Sequence, residues 1–292
     1  MIVIKYEKIK EYSNTKFRRI TGVKKHTFEE MIKIMKIAEL IRRSKGGPKP
    51  KLSIEDMLLI MLEYLREYRT YAHIAVNYGL SESQIFRIVK WAENIFIKDG
   101  TFSLPGKKAL LKSNIEYKVI LIDATESPIE RPKKNRIKCA KKIKNRKNKQ
   151  KKYYSGKKKR HTIKTQIVVN KKTKNIICTA FSEGKKHDFK LFKESKTHIS
   201  KDTQVDTDTG YQGIKKIHLN SVLPKKKTKK CPLTPEEKAI NSKISSERVQ
   251  NEHAIGFIKR FKILSERYRN RRKRFGLRLN LIAGICNFEL IA

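Results

Sequence analysis

The chain has 292 residues, 38% of them apolar, which is enough for one large or two modest domains with real cores. Its 71 Lys and Arg against 28 Asp and Glu leave a formal net charge of +43, far more than solubility needs, so the first partner to consider is a polyanion, DNA or RNA. Cys139, Cys178, Cys231 and Cys286 show neither CxxC pairing nor a histidine at zinc spacing, and the apolar stretch 281–292 is too short for a bilayer, so a zinc module, a disulfide frame and a membrane anchor are all excluded.

Residues 1–45 are expected to form short helices, because Phe28, Met31, Ile32, Met35 and Ala38 recur at helical spacing. The breaker cluster KGGPKP at 45–50 reads as a linker. Ser53 is the expected cap of the next helix, whose stripe runs through Ile54, Met57, Leu58, Met61, Leu62 and Leu65. A helix from Tyr71, a tight turn at Gly79 and a second helix capped by Ser81 or Ser83 follow. Ala75 is small where two helices cross, Gly79 supplies a positive φ, and Ile85 and Ile88 give the second helix a core face. This is a helix-turn-helix pattern, in which Ser83, Gln84 and Arg87 would face DNA. An ordinary helical hairpin has the same spacing. Residues 1–98 are thus expected to form a helical DNA-binding region.

After a linker at 99–112 the signals change to strands. Strands are predicted at 118–123, at 161–170 with Ile163, Thr165, Ile167 and Val169 alternating, and at 176–181 after a turn at 170–175. A short helix near His187, a strand at 203–208, a short strand at 221–224 and one long or two joined helices over 235–261 complete the pattern. Strands and helices in this order predict an α/β domain with a mixed sheet over 113–292. Residues 131–160 carry 17 Lys and Arg and no acid, so they are expected to be a flexible loop, either a phosphate clamp or a merely solvated insertion.

Three acids stand out. Asp123 closes the apolar run VILID, Asp208 lies in QVDTDTGY, and Glu252 sits in a cationic helix. A strand that ends in a carboxylate mounts the acid rigidly at the sheet edge, where hard cations are held. Asp206 shares a strand face with Asp208, but Asp208 stands at the strand end where the turn opens. Asp188 is expected to cap a helix, and Glu126 and Glu130 to be exposed acids beside Arg131. Carboxylates amid so much positive charge point to metal-dependent cutting or joining of a polyanion.

Several spaced motifs together resemble one family. These are DATESPI at 123–129 with Arg131 and Pro132, YYSGKK at 153–158 with His161 and Thr162, Gly184 with His187 and Asp188, DTGYQG at 208–213, and Arg248 to Lys259. The chain resembles bacterial insertion-sequence transposases of the DDE superfamily, in the insertion-sequence-five group, and residues 52–98 are similar to their helix-turn-helix region.

The resemblance implies a ribonuclease-H-like fold in which a DDE triad, carried here by Asp123, Asp208 and Glu252, binds two divalent ions, Mg2+ or in its place Mn2+. Asp123 would bridge the ions while Asp208 and Glu252 each complete one, and water or a DNA 3′-hydroxyl would attack. The family's last motif reads Tyr, Arg, Glu, Lys; Arg248, Glu252 and Lys259 fit it, whereas Ser245 stands where Tyr is expected. Arg248, Glu252 and Lys259 share one helix face, so Arg248 and Lys259 would hold DNA phosphates beside the carboxylate. Lys157, Lys158 and His161 are further expected DNA contacts, and about 133–152 looks inserted. The implied protein is cytoplasmic and nucleoid-associated, binds double-stranded DNA at inverted-repeat ends and at its target, and works as a homodimer on DNA. A non-catalytic regulator, a decayed copy and a related DNA endonuclease are the other readings.

Overall fold

The computed structural model describes residues 5–46, 50–111, 117–133, 148–226, 232–270 and 272–291, with the side chains of 148, 149, 247, 248, 250 and 251 outside that description. The chain divides into a helical unit, Met1–Ser103 with Ile258–Ser265 and Asn270–Ala292, and a sheet unit, Leu104–Phe257 with Glu266–Arg269.

The helical unit opens with α1 (Tyr6–Ile9), α2 (Asn14–Thr21), α3 (Lys25–Ser44), α4 (Ile54–Arg66), α5 (Tyr71–Tyr78) and α6 (Glu82–Asp99). The apolar stripes do the packing: Phe28, Met31 and Met35 of α3 and Leu58, Met61, Leu62 and Leu65 of α4 are buried. Ser53 caps α4, its Oγ accepting from Asp56 N at 3.1 Å. Gly79 ends α5 at φ 65°, a conformation that costs a residue with a side chain far more. Ser81 then starts α6 in a capping box, accepting from Gln84 N at 3.3 Å and donating its own backbone N–H to Gln84 Oε1 at 2.9 Å. The core face of α6 is Ile85 and Val89; Ile88, expected there, is only half-buried because α6 turns it towards the rim.

The sheet unit contains β1 (Val119–Pro128), β2 (Tyr154–Ser155), β3 (Arg160–Asn170), β4 (Ile176–Glu183), β5 (Gln204–Thr207) and β6 (Ser221–Val222). Their order is β2-β3-β1-β5-β6, with β4 also paired to β3. β1, β3 and β4 run antiparallel, while β5 and β6 extend the sheet parallel to β1. This is the mixed sheet of the expected α/β class. The turn between β3 and β4 is closed by Asn170, whose Oδ1 accepts from Lys172 N at 2.9 Å. Around the sheet lie α7 (Asn148–Tyr153), α8 (Asp188–Glu194) and α9 (Pro235–Lys259). Ile120, Ile122, Val168 and Val205 form its core with Phe192 of α8 and with Tyr211 and Ile214.

After α9 the chain re-enters the helical unit as α10 (Lys262–Ser265) and α11 (Phe275–Ile291). The sequence reading ended the helical region at 98. Gly284 of α11 lies against the backbone of Phe102: a Cβ there would be 1.8 Å from the Phe102 carbonyl oxygen.

The expectation of one unstructured loop over 131–160 is corrected in its later part. Residues 148–153 are helical, and 154–161 form a hairpin with Tyr154 opposite His161. Gln150 anchors the segment, accepting from Arg131 at 3.2 Å and donating to the Pro132 carbonyl at 2.6 Å. The charge run had concealed this anchor. The rest of the expected insertion, 134–147, lies outside the described residues, as do Cys139 and Cys231. Cys178 and Cys286 are buried. Among the described residues no helix is long and apolar enough to cross a membrane.

Candidate active site

The site begins with the parallel pairing of β1 and β5. Ile120, Leu121 and Ile122 are fully enclosed together with Val205, as parallel strands covered on both faces require. The last paired positions are Ile122 and Thr207. Asp123 is the next residue of β1 and Asp208 the first residue after β5, so both stand where the parallel pairing stops. Neighbouring strands lie about 4.8 Å apart, close enough for two carboxylates to share a cation.

Each aspartate is oriented by a nearby backbone amide. Ala124 N donates to Asp123 Oδ1 at 2.7 Å, and Gly210 N donates to Asp208 Oδ1 at 2.9 Å. Asp208 thereby caps the short 3-10 turn Thr209–Tyr211, whose Tyr211 is buried in the sheet core. Asp206, the competing acid, is almost fully buried and engaged by Lys171 at 3.0 Å and by Gln204 at 2.7 Å. Its role is structural.

A second group of charges adjoins Asp208. Glu126 on β1 faces Lys164 on β3 across the antiparallel ladder, with 3.7 Å between Oε1 and Nζ. Lys164 Nζ lies 2.7 Å from Asp188 Oδ1 and donates to the Lys186 carbonyl at 2.7 Å. Asp188 therefore does not cap α8, as had been expected. His187 occupies the cap position, and Asp188, in the first turn, is drawn to the buried ammonium. Asp188 also approaches Asp208: a Cβ on Gly210 would meet Asp188 Oδ2 at 2.9 Å and Asp208 Oδ1 at 3.0 Å. A side chain there would push both carboxylates by a few tenths of an ångström.

Glu252 lies on α9 with its side chain exposed. The described side chains of α9 before Ala254 are exposed or half-buried, so its earlier turns have no apolar anchor. Among the described residues no three His, Cys, Asp or Glu side chains are grouped closely enough to hold a metal ion. The structure sets Asp123 and Asp208 where the parallel pairing of β1 and β5 stops, and Glu252 on an exposed part of α9. As donors, the two aspartates offer the hard oxygens that Mg2+ or Mn2+ takes, and a third carboxylate would have to come from elsewhere.

The expected DNA contacts fall on several surfaces. Lys157 and Lys158 are exposed at the tip of the β2–β3 hairpin, next to Arg160. His161 lies edge-on to Tyr154, with ring centroids 5.5 Å apart; burial and then the Arg131 charge lower its pKa, which favours the neutral ring. Lys259 is the last residue of α9, and the side chain of Arg248 is outside the described residues. On α6, Ser83 and Arg87 are exposed, whereas Gln84 is occupied by its capping box. Phe86 and Lys90 share that exposed surface, the ammonium 5.8 Å from the ring centre. Sequence reasoning missed both, although helical spacing from Ser83 puts them beside Arg87.

The helix-turn-helix of DDE superfamily endonucleases matches residues 50–102, and the DDE superfamily endonuclease family itself matches residues 122–287. A "Probable transposase for insertion sequence element IS702" from Microchaete diplosiphon is 47% identical over 287 residues, which cover 98% of this chain and 99% of that protein. No solved structure matches the chain significantly.

Proposed function

The chain belongs to the DDE superfamily of endonucleases, and from that premise we propose that it is an insertion-sequence transposase that binds its element's ends and catalyses metal-dependent DNA cleavage and strand transfer. The observation that carries the reading is that Asp123 of β1 and Asp208, the residue after β5, each follow the last pair of the two parallel strands, within the family match.

Members of the superfamily use divalent metal ions. Two bound Mg2+ ions, or Mn2+ in their place, supply Lewis-acid stabilisation of the entering and leaving oxygens of the phosphodiester. Asp123, Asp208 and Glu252 would hold them. Three ionised carboxylates repel one another without counter-charge, and α9 has no apolar anchor before Ala254 to force Glu252 towards the aspartates. Bound cations would supply that counter-charge and let Glu252 complete the set. Lys157, Lys158, Arg248 and Lys259 would line the phosphate path, and α6 would enter a groove through Ser83 and Arg87. Two ends must be paired for transposition, so the acting species would be a homodimer on double-stranded DNA.

The test is incubation of the purified protein with Mg2+ and a labelled duplex carrying the element's ends. Cleavage is expected from the natural chain and none from D123N, D208N or E252Q, all of which still retard the duplex in a gel. Binding without cleavage in either Mg2+ or Mn2+ would establish the regulator reading instead, and a cleaving E252Q would remove Glu252 from the mechanism.

A further inference from the structure

β3 is paired to β1 on one edge and to β4 on the other, and its residues from Thr162 to Asn170 are buried. Lys164 stands in this run with only 9% of its surface exposed. An ammonium so enclosed requires counter-charge, and here the acceptors come from three places: Asp188 of α8, Glu126 of β1 and the carbonyl of Lys186. The other Glu126 oxygen accepts from Thr162 Oγ1 at 2.8 Å. Lys186, nearby, is balanced separately by Glu183 at 3.2 Å and Glu194 at 2.5 Å.

Lys164 is therefore the cation serving Asp188, and Asp188 is the acid that faces Asp208 across Gly210. We propose that Lys164 is a positioning residue of the catalytic edge: by pairing with Asp188 it keeps that carboxylate out of the metal site and leaves Asp208 as the ligand on that side. The inference rests on Asp208 binding metal.

The charge balance fixes opposite signs for the two partners. If Lys164 is neutralised, Asp188 becomes an unbalanced acid opposite Asp208, and the pair traps a divalent ion more tightly but in the wrong place. If Asp188 is neutralised, the Lys164 charge bears on Asp208 and repels the ion. One unbalanced charge at this range is worth about tenfold in affinity.

The experiment measures Mn2+ binding to the full chain by the loss of the free-ion electron paramagnetic resonance signal, alongside cleavage and melting temperature. K164Q is expected to bind Mn2+ about tenfold more tightly while cleaving more slowly, D188N about tenfold more weakly, and the double variant K164Q/D188N like the natural chain. K164R, which keeps the charge, should remain near natural behaviour. A simple packing role for Lys164 cannot produce opposite shifts that cancel. Unchanged or weaker Mn2+ binding in a folded K164Q overturns the proposal; should K164Q fail to fold, an unchanged affinity in D188N does so. D208N is the control. If it binds Mn2+ like the natural chain, the reading of Asp208 as a ligand fails and takes this inference with it; if it loses Mn2+ while K164Q and D188N shift nothing, the inference alone fails.

Discussion

Glu93 on α6 and Arg278 on α11 form an ion pair with 2.6 Å between Oε1 and Nε, their side chains 1% and 4% exposed. Arg274 adds a second cation 3.3 Å from the same carboxylate. The pair ties the last helix of the chain to the second helix of the helix-turn-helix, within one folded unit. Removing Glu93 leaves Arg278 buried without its carboxylate, and removing Arg278 leaves Glu93 with Arg274 alone; breaking such a buried pair costs about 3–5 kcal/mol at most. R278M should lose up to that much stability in urea denaturation, and R278M combined with E93L should lose less than the two single changes added together. A loss below about 1 kcal/mol in R278M would show the pair to be idle.

A second stability prediction concerns Gly184, one of the residues in the recognised motifs. A Cβ at this position would lie 1.9 Å from Thr162 Oγ1 and 2.8 Å from the Thr162 carbonyl oxygen. Rotating the threonine side chain relieves only the first clash, and the second is with backbone. Alanine must therefore push β4 away from β3, at a cost of about 1–3 kcal/mol or more. The melting temperature of G184A should fall by several degrees, and an unchanged transition would contradict the geometry.

Parts of this architecture were legible because the signal is local. Ser53 and Gly79 act on the residues next to them, so that cap and that turn could be placed from spacing alone, whereas spacing left Ser81 and Ser83 both open as the next cap and the capping box with Gln84 falls to Ser81. The strand position of Asp123 was legible because the apolar run 119–122 leads up to it, and the turn after Asp208 because Gly210 follows it. The ion pairs of Lys164 were not, because they depend on the register that sets Glu126 opposite it and on the path that brings Asp188 back over β3. The return of the chain into the helical unit was hidden for a similar reason: Arg278 meets Glu93 at a separation of 185 residues. For Glu252, helical spacing assigned it to one face with Arg248 and Lys259, but spacing says nothing of where that face points. α9 lacks the apolar stripe that would have answered the question.

DNA binding should weaken steeply with salt, because a surplus of +43 charges releases condensed counter-ions from phosphate. Each lost phosphate contact reduces the log–log slope by about 0.9. Replacing Lys157, Lys158 and Arg160 by alanine should therefore flatten the slope by about 2–3 in a gel-shift titration, with the melting temperature unchanged since all three side chains are exposed. An unaltered slope would remove the hairpin tip from the DNA interface.

His161 allows a prediction about pH. Its pKa lies below the ordinary value of 6.5, first through burial and second through the charge of Arg131. The folded chain thus holds fewer protons on this ring than the unfolded chain between the two pKa values. Stability is fully present above 6.5 and declines as pH falls through the folded value. R131Q removes the second cause only, so nuclear magnetic resonance should show the His161 pKa rising part of the way towards 6.5. A fall, or no movement, would mean that Arg131 does not act on the ring. The lowered pKa favours the neutral ring, so H161A should change the salt slope of DNA binding at pH 7 by less than the loss of a lysine does.

The exposed surface of α6 separates a folding role from a binding role within four residues. Gln84 completes the capping box with Ser81, so Q84A should cost about 1 kcal/mol of stability while changing DNA affinity little. Arg87 is exposed and Phe86 is 46% exposed, with Lys90 held over the ring. An aromatic left this open, flanked by two cations, suits contact with a nucleic-acid backbone and groove better than it suits solvent. R87A and K90A should each weaken binding about tenfold without moving the unfolding transition, a contact to a phosphate or base edge being worth about 1–3 kcal/mol. Measuring both properties on all three variants decides the matter. If Q84A alone weakens binding, the reading surface lies at the start of α6, and Phe86, Arg87 and Lys90 are ordinary solvent-facing residues.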